Sequence, residues 1–215
     1  MDPYDHANAI FADALKADGR SGLAVLDVGC WNGALGRKLK AHLNMVIDGI
    51  ERDASQAASA RENGYRNVHV LDLNRQSIKV VNCRYDYVLF GDVLEHLLEP
   101  DAVLRESRTL LAEGGKTLVS MPNIAFLGCR LSHLLGKWDY ADYGILDRTH
   151  LRFYTRGTML ALMEDCGFRV DWLHGYVGLS GYPWYVRRPL RWLGRVWPTL
   201  FAIQIVLCGT PRPSD

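Results

Sequence analysis

The chain has 215 residues, 48% of them hydrophobic, enough for one domain with a sizeable core, and the expectation is a single domain over residues 1–215. A formal charge of +1 excludes a globally polyanion-binding surface and confines any basic patch to a local segment. Cys30, Cys83, Cys129, Cys166 and Cys208 are odd in number and form no C-x-x-C pair, which fits reduced thiols in the cytoplasm better than a disulfide framework or structural zinc. The start Met1-Asp2-Pro3-Tyr4-Asp5-His6 lacks the pattern of a signal peptide, and the longest apolar stretch, near Leu200 to Cys208, is too short to span a bilayer.

From Ala7 to Lys16, Ile10, Ala14 and Leu15 share one helical side, which predicts a helix packed beside or over the next turn. Ala24-Val25-Leu26-Asp27-Val28 reads as a buried strand, Gly29-Cys30-Trp31-Asn32-Gly33 as a tight turn, and Leu35, Leu39 and Leu43 as the apolar side of a helix. Such a turn cradles a nucleotide, since Gly29 and Gly33 allow close backbone approach and the helix start offers free N–H groups. The spacing Gly29-x3-Gly33-x2-Gly36 differs from the G-x-G-x-x-G of dinucleotide enzymes. Asp27, two residues before the first glycine, disfavours a phosphate and suits a ligand carrying an ammonium group.

At this turn the chain resembles the class I S-adenosylmethionine (SAM)-dependent methyltransferases, whose first motif reads hydrophobic-hydrophobic-Asp-hydrophobic-Gly-Cys-Gly-x-Gly. The ammonium would be the amino-acid end of SAM. Trp31 stands where that family usually has glycine and is expected to narrow or cover the pocket. Met45 to Ile50 reads as a second strand ending at Glu51, 24 residues after Asp27, where a doubly wound domain holds the two ribose hydroxyls. A helix from Ala54 to Asn63 follows, capped at Asp53 and stopped at Gly64. Val68-His69-Val70-Leu71 leads to Asp72 and Leu73, which the resemblance assigns to adenine. It also assigns cofactor contacts to Cys30, Arg52, Gly91 and Asp92.

Tyr85 to Phe90 reads as the fourth strand, and Gly91-Asp92-Val93-Leu94-Glu95-His96-Leu97 lies at its carboxyl end, where open α/β sheets bind ligands. The Val-Leu-Glu-His-Leu run is shared with many class I methyltransferases. His96 is either a general base or a histidine that only bonds the backbone. A helix from Pro100 carries Val103, Leu104, Leu110 and Leu111 and is stopped by Gly114-Gly115; Lys116 to Met121 is the fifth strand. Residues 124–150 show no alternation and read as an acceptor-binding cover. This cover closes on Asp147-Arg148-Thr149-His150-Leu151-Arg152-Phe153-Tyr154-Thr155, similar to a segment of methyltransferases from cell-surface glycan and natural-product gene clusters, in which His150 would face the methyl-transfer site. Thr155 caps a helix from Met159 to Cys166.

Phe168 to Tyr176 and Thr199 to Gly209 are the sixth and seventh strands. The resemblance implies a Rossmann-like, doubly wound α/β sheet of order 3-2-1-4-5-7-6 with strand 7 antiparallel and helices on both faces. Between these two strands an insertion, about 180–199, holds Tyr182 to Trp197, with four arginines, three tryptophans and no acid. It suits a membrane interface, an anionic group or a nucleic-acid backbone, or is a solvated helix with its tryptophans packed on the sheet.

Methyl transfer is an in-line displacement in which positioning recovers roughly 7–11 kcal/mol. A hydroxyl acceptor must also lose a proton, to His96 or His150, with Asp92 nearby. A metal reading uses Asp92, Glu95, His96 and His150, which resemble the Glu-x-x-Glu-His plus His arrangement of small-RNA 3′-terminal 2′-O-methyltransferases. The leading expectation is O-methylation of a sugar, lipid-linked glycan or other small-molecule hydroxyl by a cytoplasmic protein, with peripheral contact at the inner face of the membrane through residues 182–197 as a further option. RNA methylation lacks a wide basic face. A short-chain dehydrogenase would need Tyr-x-x-x-Lys, which the chain lacks. A SAM-binding regulator is the third class.

Overall fold

The computed structural model describes residues 5–178 and 183–213; Tyr182 and residues 180–181 of the arginine- and tryptophan-rich insertion lie outside the described residues, as do both chain ends. In chain order the elements are α1 (Asp5–Asp18), β1 (Leu23–Val28), α2 (Ala34–Lys40), β2 (Met45–Glu51), α3 (Ala54–Glu62), β3 (Val68–Val70), β4 (Tyr85–Gly91), α4 (Pro100–Ser107) and β5 (Leu111–Pro122). Then come α5 (Leu127–Leu134), α6 (Arg156–Asp165), β6 (Phe168–Tyr176), α7 (Trp184–Val196), α8 (Pro198–Phe201) and β7 (Gln204–Pro211). Among the described residues the strands form one sheet of order β3-β2-β1-β4-β5-β7-β6, parallel except that β7 runs antiparallel to β5 and β6. The expected topology is observed.

Both sheet faces are covered, which is why the central strands read as continuous apolar runs. Leu23 and Val25 of β1 pack with Phe11 and Leu15 of α1, Leu35 and Leu39 of α2, and Ala57 and Ala60 of α3. Leu26 and Val28 face the other way, into the core that also holds Val103 and Leu104 of α4 and, farther along the sheet, Met159 and Met163 of α6. The period of two in β1 thus feeds two separate cores. Side chains as large as Phe11, fully buried here, each contribute about 1.5–3 kcal/mol by leaving water.

Four expectations need correction. Helix α4 ends at Ser107, a 3₁₀ turn covers Arg108–Leu110, and Leu111 already belongs to β5. Gly114 and Gly115 therefore lie inside the strand, where its register against β4 shifts: Tyr85 pairs with Leu111 but Tyr87 with Lys116. A Cβ on Gly115 would stand 2.9 Å from the carbonyl oxygens of Ala112 and Tyr85, so the bulge requires glycine. Strand β7 starts at Gln204, because Pro198–Phe201 form the helical turn α8, held where the Asn123 amide donates to the carbonyls of Thr199 (3.0 Å) and Ala202 (2.8 Å). The stretch 124–150 is not wholly irregular but contains α5. Finally, α7 does not pack its tryptophans on the sheet: Trp184, Trp192 and the following Trp197 are 72%, 62% and 59% exposed. No described helix is long and apolar enough to cross a membrane.

Candidate active site

Parallel register lines up the carboxyl ends of the strands: Val28 pairs with Ile50 and Phe90, Glu51 with Val70, and Gly91 with Ser120. The loop after β1, Glu51, the turn after β3 and the segment after β4 therefore share one edge. A surface recess of about 620 Å³, lined by Arg84, Arg105, Arg108 and Arg212, lies at the opposite edge and includes none of these groups.

Gly29, Trp31 and Gly33 all adopt positive φ (74°, 46° and 78°), which coils the turn tightly and brings Gly33 to the start of α2. Tyr65, whose ring lies beneath it, accounts for the glycine spacing. A Cβ on Gly33 or Gly36 would meet that ring at 2.9 and 2.3 Å, and one on Gly29 would meet Val93 at 2.5 Å. These glycines therefore serve internal packing and a left-handed backbone, rather than only the approach of a ligand as the sequence reading had it. Trp31 is the exception, a bulky residue in the left-handed region and half exposed at the rim.

Asp27 lies beneath the turn. Its carboxylate is 3% exposed and accepts the Tyr65 hydroxyl at 2.5 Å, while that hydroxyl accepts the Gly36 N–H at 3.0 Å. Burial pushes its pKa up to about 7, against the Tyr65 hydrogen bond. Through Oδ2 it braces the turn from below. Cys30 likewise turns inward, its sulfur against Gly49, and burial pushes its thiol far up, so only its backbone faces the edge.

Glu51 lies at the carboxyl end of β2, as expected from the sequence. Its Oε2 accepts the Trp31 N–H and its Oε1 the Asp53 N–H, both at 2.9 Å, so the carboxylate is fixed between turn and α3 with further lone pairs to offer. Arg52 beside it is exposed. Asp53 caps α3 as expected, accepting the N–H groups of Ser55 and Gln56. Asp72 accepts the Asn74 N–H at 3.0 Å and sits 3.4 Å from Arg75, an exposed ion pair that a ligand can displace at little cost. Leu73 packs on the core beside it.

After Gly91, Asp92 adopts φ 54° and turns its carboxylate inward. The Gln204 amide donates to both its oxygens at 2.7 Å and Ser120 Oγ to one at 3.1 Å; burial still raises its pKa. Asp92 thus leaves the four-residue metal set and is no free acid or base. What converges instead is Glu95, His96 and His150. Leu151 and Arg152 both donate their N–H to the Glu95 carbonyl, at 2.9 and 3.1 Å, which joins the segment after β4 to the end of the 124–150 insertion. The rings of His96 and His150 stand 4.8 Å apart, edge to face, and His150 Nε2 lies 3.9 Å from Glu95 Oε1. The Glu95 carboxyl is 1% exposed, and burial, then the nearby Asp92, push its pKa well up. Burial and then His96 push the His150 imidazole down.

An aromatic chain extends from this cluster into the insertion. Phe153 meets His150 at 6.1 Å and Trp138 at 5.3 Å, and Trp138 stacks on His133 at 4.4 Å.

A family model described as a methyltransferase domain matches residues 5–172. The chain belongs to the class I SAM-dependent methyltransferase family. Among curated relatives, a ubiquinone biosynthesis O-methyltransferase from Glaesserella parasuis serovar 5 (strain SH0165) is 28% identical over 116 residues, 50% of this chain and 49% of the relative. The chain spans about half the length of the curated relatives it matches. Among solved structures, magnesium protoporphyrin IX methyltransferase from Synechocystis PCC 6803 with bound S-adenosylhomocysteine superposes with a TM-score of 0.66 at 18% identity, covering 98% of this chain and 83% of that one. A TehB-like SAM-dependent methyltransferase from Corynebacterium glutamicum gives 0.62 at 15% identity, over 96% and 88%. At these identities the structural likeness concerns the fold.

SAM is the cofactor of this family, and the edge of this methyltransferase domain fits it, with a tight left-handed turn, a fixed carboxylate at the end of β2 and an acid after β3. Sequence reasoning missed Tyr65, Gln204 and Ser120. No local signal marks them, because each meets its partner only across the fold: Gln204 lies 112 positions from Asp92.

Proposed function

We propose that this methyltransferase transfers a methyl group from SAM to a hydroxyl of a small-molecule acceptor, with a sugar or lipid-linked glycan hydroxyl as the favoured class. The observation that carries it is the convergence of His96, His150 and Glu95 on the ligand edge, beside an aromatic wall suited to an acceptor ring. The name of the O-methyltransferase relatives supports oxygen as the methylated atom. Glu51 holds the ribose, Asp72 and Leu73 meet adenine, and Asp27 and Tyr65 keep the turn shaped from below. SAM, when bound, supplies an electrophilic methyl group on a sulfonium. The protein orients the acceptor oxygen in line with it, excludes water with the 124–150 cover, and takes the hydroxyl proton on an imidazole.

His96→Gln and His150→Gln are each expected to lower kcat by about 100-fold while leaving SAM affinity within about twofold. The test is incorporation of labelled methyl from SAM into nucleotide sugars, lipid-linked glycans and ubiquinone precursors. Transfer to nitrogen acceptors alone would overturn the reading, and SAM binding without any transfer would make the protein a regulator.

Helix α7 favours an acceptor at a membrane. It joins β6 to β7 at the ligand edge, and Gly194 is packed against Val177. At helical spacing Tyr185, Pro189, Trp192 and Val196 form an exposed stripe, and Arg187, Arg188, Arg191 and Arg195 lie exposed along its flank with no acid among them. An aromatic stripe beside cations complements an anionic lipid surface, at about 1 kcal/mol per basic residue. Arg191→Glu with Arg195→Glu is expected to weaken co-sedimentation with phosphatidylglycerol vesicles by at least about tenfold. Equal sedimentation of wild type and variant would refute the membrane contact.

A further inference from the structure

Glu95 presents a problem that the methyl-transfer reading leaves unsolved. Both its carboxyl oxygens are buried and have no hydrogen-bond partner. Protonation does not cure this as the side chains stand, because the nearest acceptor, His150 Nε2, lies 3.9 Å away and the second oxygen stays without a partner. Such a carboxyl is normally removed by selection or matched by a partner.

The two imidazoles beside it are oriented as acceptors too. His150 Nδ1 stands 3.1 Å from the Ile145 carbonyl, so that nitrogen donates and Nε2 keeps its lone pair towards Glu95. His96 Nδ1 stands 3.2 Å from both the Thr149 carbonyl and Thr149 Oγ1. The Thr149 hydroxyl spends its proton on Asp147 Oδ1 at 2.6 Å, so His96 Nδ1 is again a donor, to the carbonyl, and its Nε2 is left as acceptor. Three groups with lone pairs to offer therefore meet at one point. One possible ligand atom from each of Glu95, His96 and His150 lies within 4.8 Å of the others. Donors around a tetrahedral ion at about 2.1 Å stand about 3.4 Å apart, so the 3.9 Å between Glu95 and His150 closes with a small side-chain rotation.

We propose that Glu95, His96 and His150 form a binding site for one divalent transition-metal ion. The proposal deepens the reading of this cluster as the acceptor end of the methyltransferase site, and rests on it for its role. Two imidazole nitrogens and one carboxylate oxygen suit manganese, iron, cobalt or zinc better than magnesium or calcium, which prefer all-oxygen sets. The backbone carbonyls of Ile145 and Thr149 hold the ring orientations from behind, the usual support of a histidine ligand. Three protein donors leave positions for water or the acceptor hydroxyl. The bound hydroxyl loses its proton to solvent, keeping the O–H electron pair on oxygen for attack on the methyl carbon, while the C–S electrons leave with sulfur. In ion-free protein the same imidazoles remain the proton acceptors. Asp92 takes no part, being occupied by Gln204 and Ser120.

The test uses the full chain stripped with EDTA, titrated with Mn²⁺ followed by electron paramagnetic resonance and with Co²⁺ followed by visible absorption. The expected result is one ion per chain, a Co²⁺ spectrum with nitrogen ligation, and a raised Tm in the presence of either ion. Glu95→Gln and His150→Gln should each weaken binding by about 100-fold and remove the Tm increase. Glu95→Gln should melt at or above wild type in EDTA, since it removes an unpartnered carboxyl; if it fails to fold, His96→Gln takes its place. No binding, or binding unchanged in these variants, would overturn the proposal. SAM titration of the same samples keeps the readings apart: SAM binding without metal binding sinks the metal site alone, and metal binding without SAM binding sinks the methyl-transfer reading alone.

Discussion

Glu51→Ala is expected to weaken SAM and S-adenosylhomocysteine binding by about 1,000-fold in isothermal titration. The carboxylate is fixed by the N–H groups of Trp31 and Asp53, so its remaining lone pairs are held in place for two ribose hydroxyls. Hydrogen bonds to an ionised group contribute about 1.5–3 kcal/mol each, and two of them account for the fold-change. The same substitution strips the left-handed turn of its tie to β2, so part of the loss comes from a loosened Trp31. Glu51→Gln separates the two contributions: its amide oxygen still accepts one backbone N–H, and the expected loss is about tenfold. Unchanged affinity in both variants, with unchanged melting, would remove Glu51 from the cofactor site.

Wild type is expected to lose stability relative to Asp27→Asn by about 3 kcal/mol between pH 5 and pH 8, measured by urea unfolding across that range. Burial raises the Asp27 pKa from 3.8 to about 7. Below about pH 3 both the folded and the unfolded chain hold the proton on Asp27, and the folded state buries no charge there. As pH rises, the unfolded state ionises first, near 3.8, while the folded state keeps its proton to about 7, so stability falls through that window and levels off above it. A shift of three units corresponds to about 4 kcal/mol in all, most of it above pH 5. Asparagine keeps an acceptor for the Tyr65 hydroxyl and does not titrate. Asp48, whose pKa is lowered despite burial by hydrogen bonds from Arg66 and Tyr85, and Asp18, lowered to about 2 chiefly by Arg20, act in the opposite sense in both proteins and cancel in the difference. Parallel pH curves for the two proteins would refute the buried, protonatable state of Asp27.

Local pattern carried most of the fold. The apolar run Ala24 to Val28, the turn glycines and the Asp53 cap depend on neighbours within a few positions, and each appears where the sequence reading put it, with β2 ending at Glu51 and β4 leading into the Glu95–His96 segment. Boundaries failed where a distant contact outweighed propensity. The Asn123 amide stabilises α8 and delays β7, and the pairing of Tyr85 with Leu111 draws Leu111 from a helix into a strand. Around the site, residue types and their order along the edge were legible, but their directions were not. Asp27 and Asp92 are acids at strand ends like Glu51, yet Tyr65 turns the first under the loop and Gln204 and Ser120 turn the second inward.

By itself, then, the sequence determined the family, the strand order and the edge on which chemistry gathers, because periodicity, turn residues and short motifs are local quantities. Only the tertiary structure decided how each carboxylate is held and that Glu95, His96 and His150 meet, because the 54-position separation of His96 and His150 is closed by backbone bonds from Leu151 and Arg152 to Glu95 that no local pattern encodes.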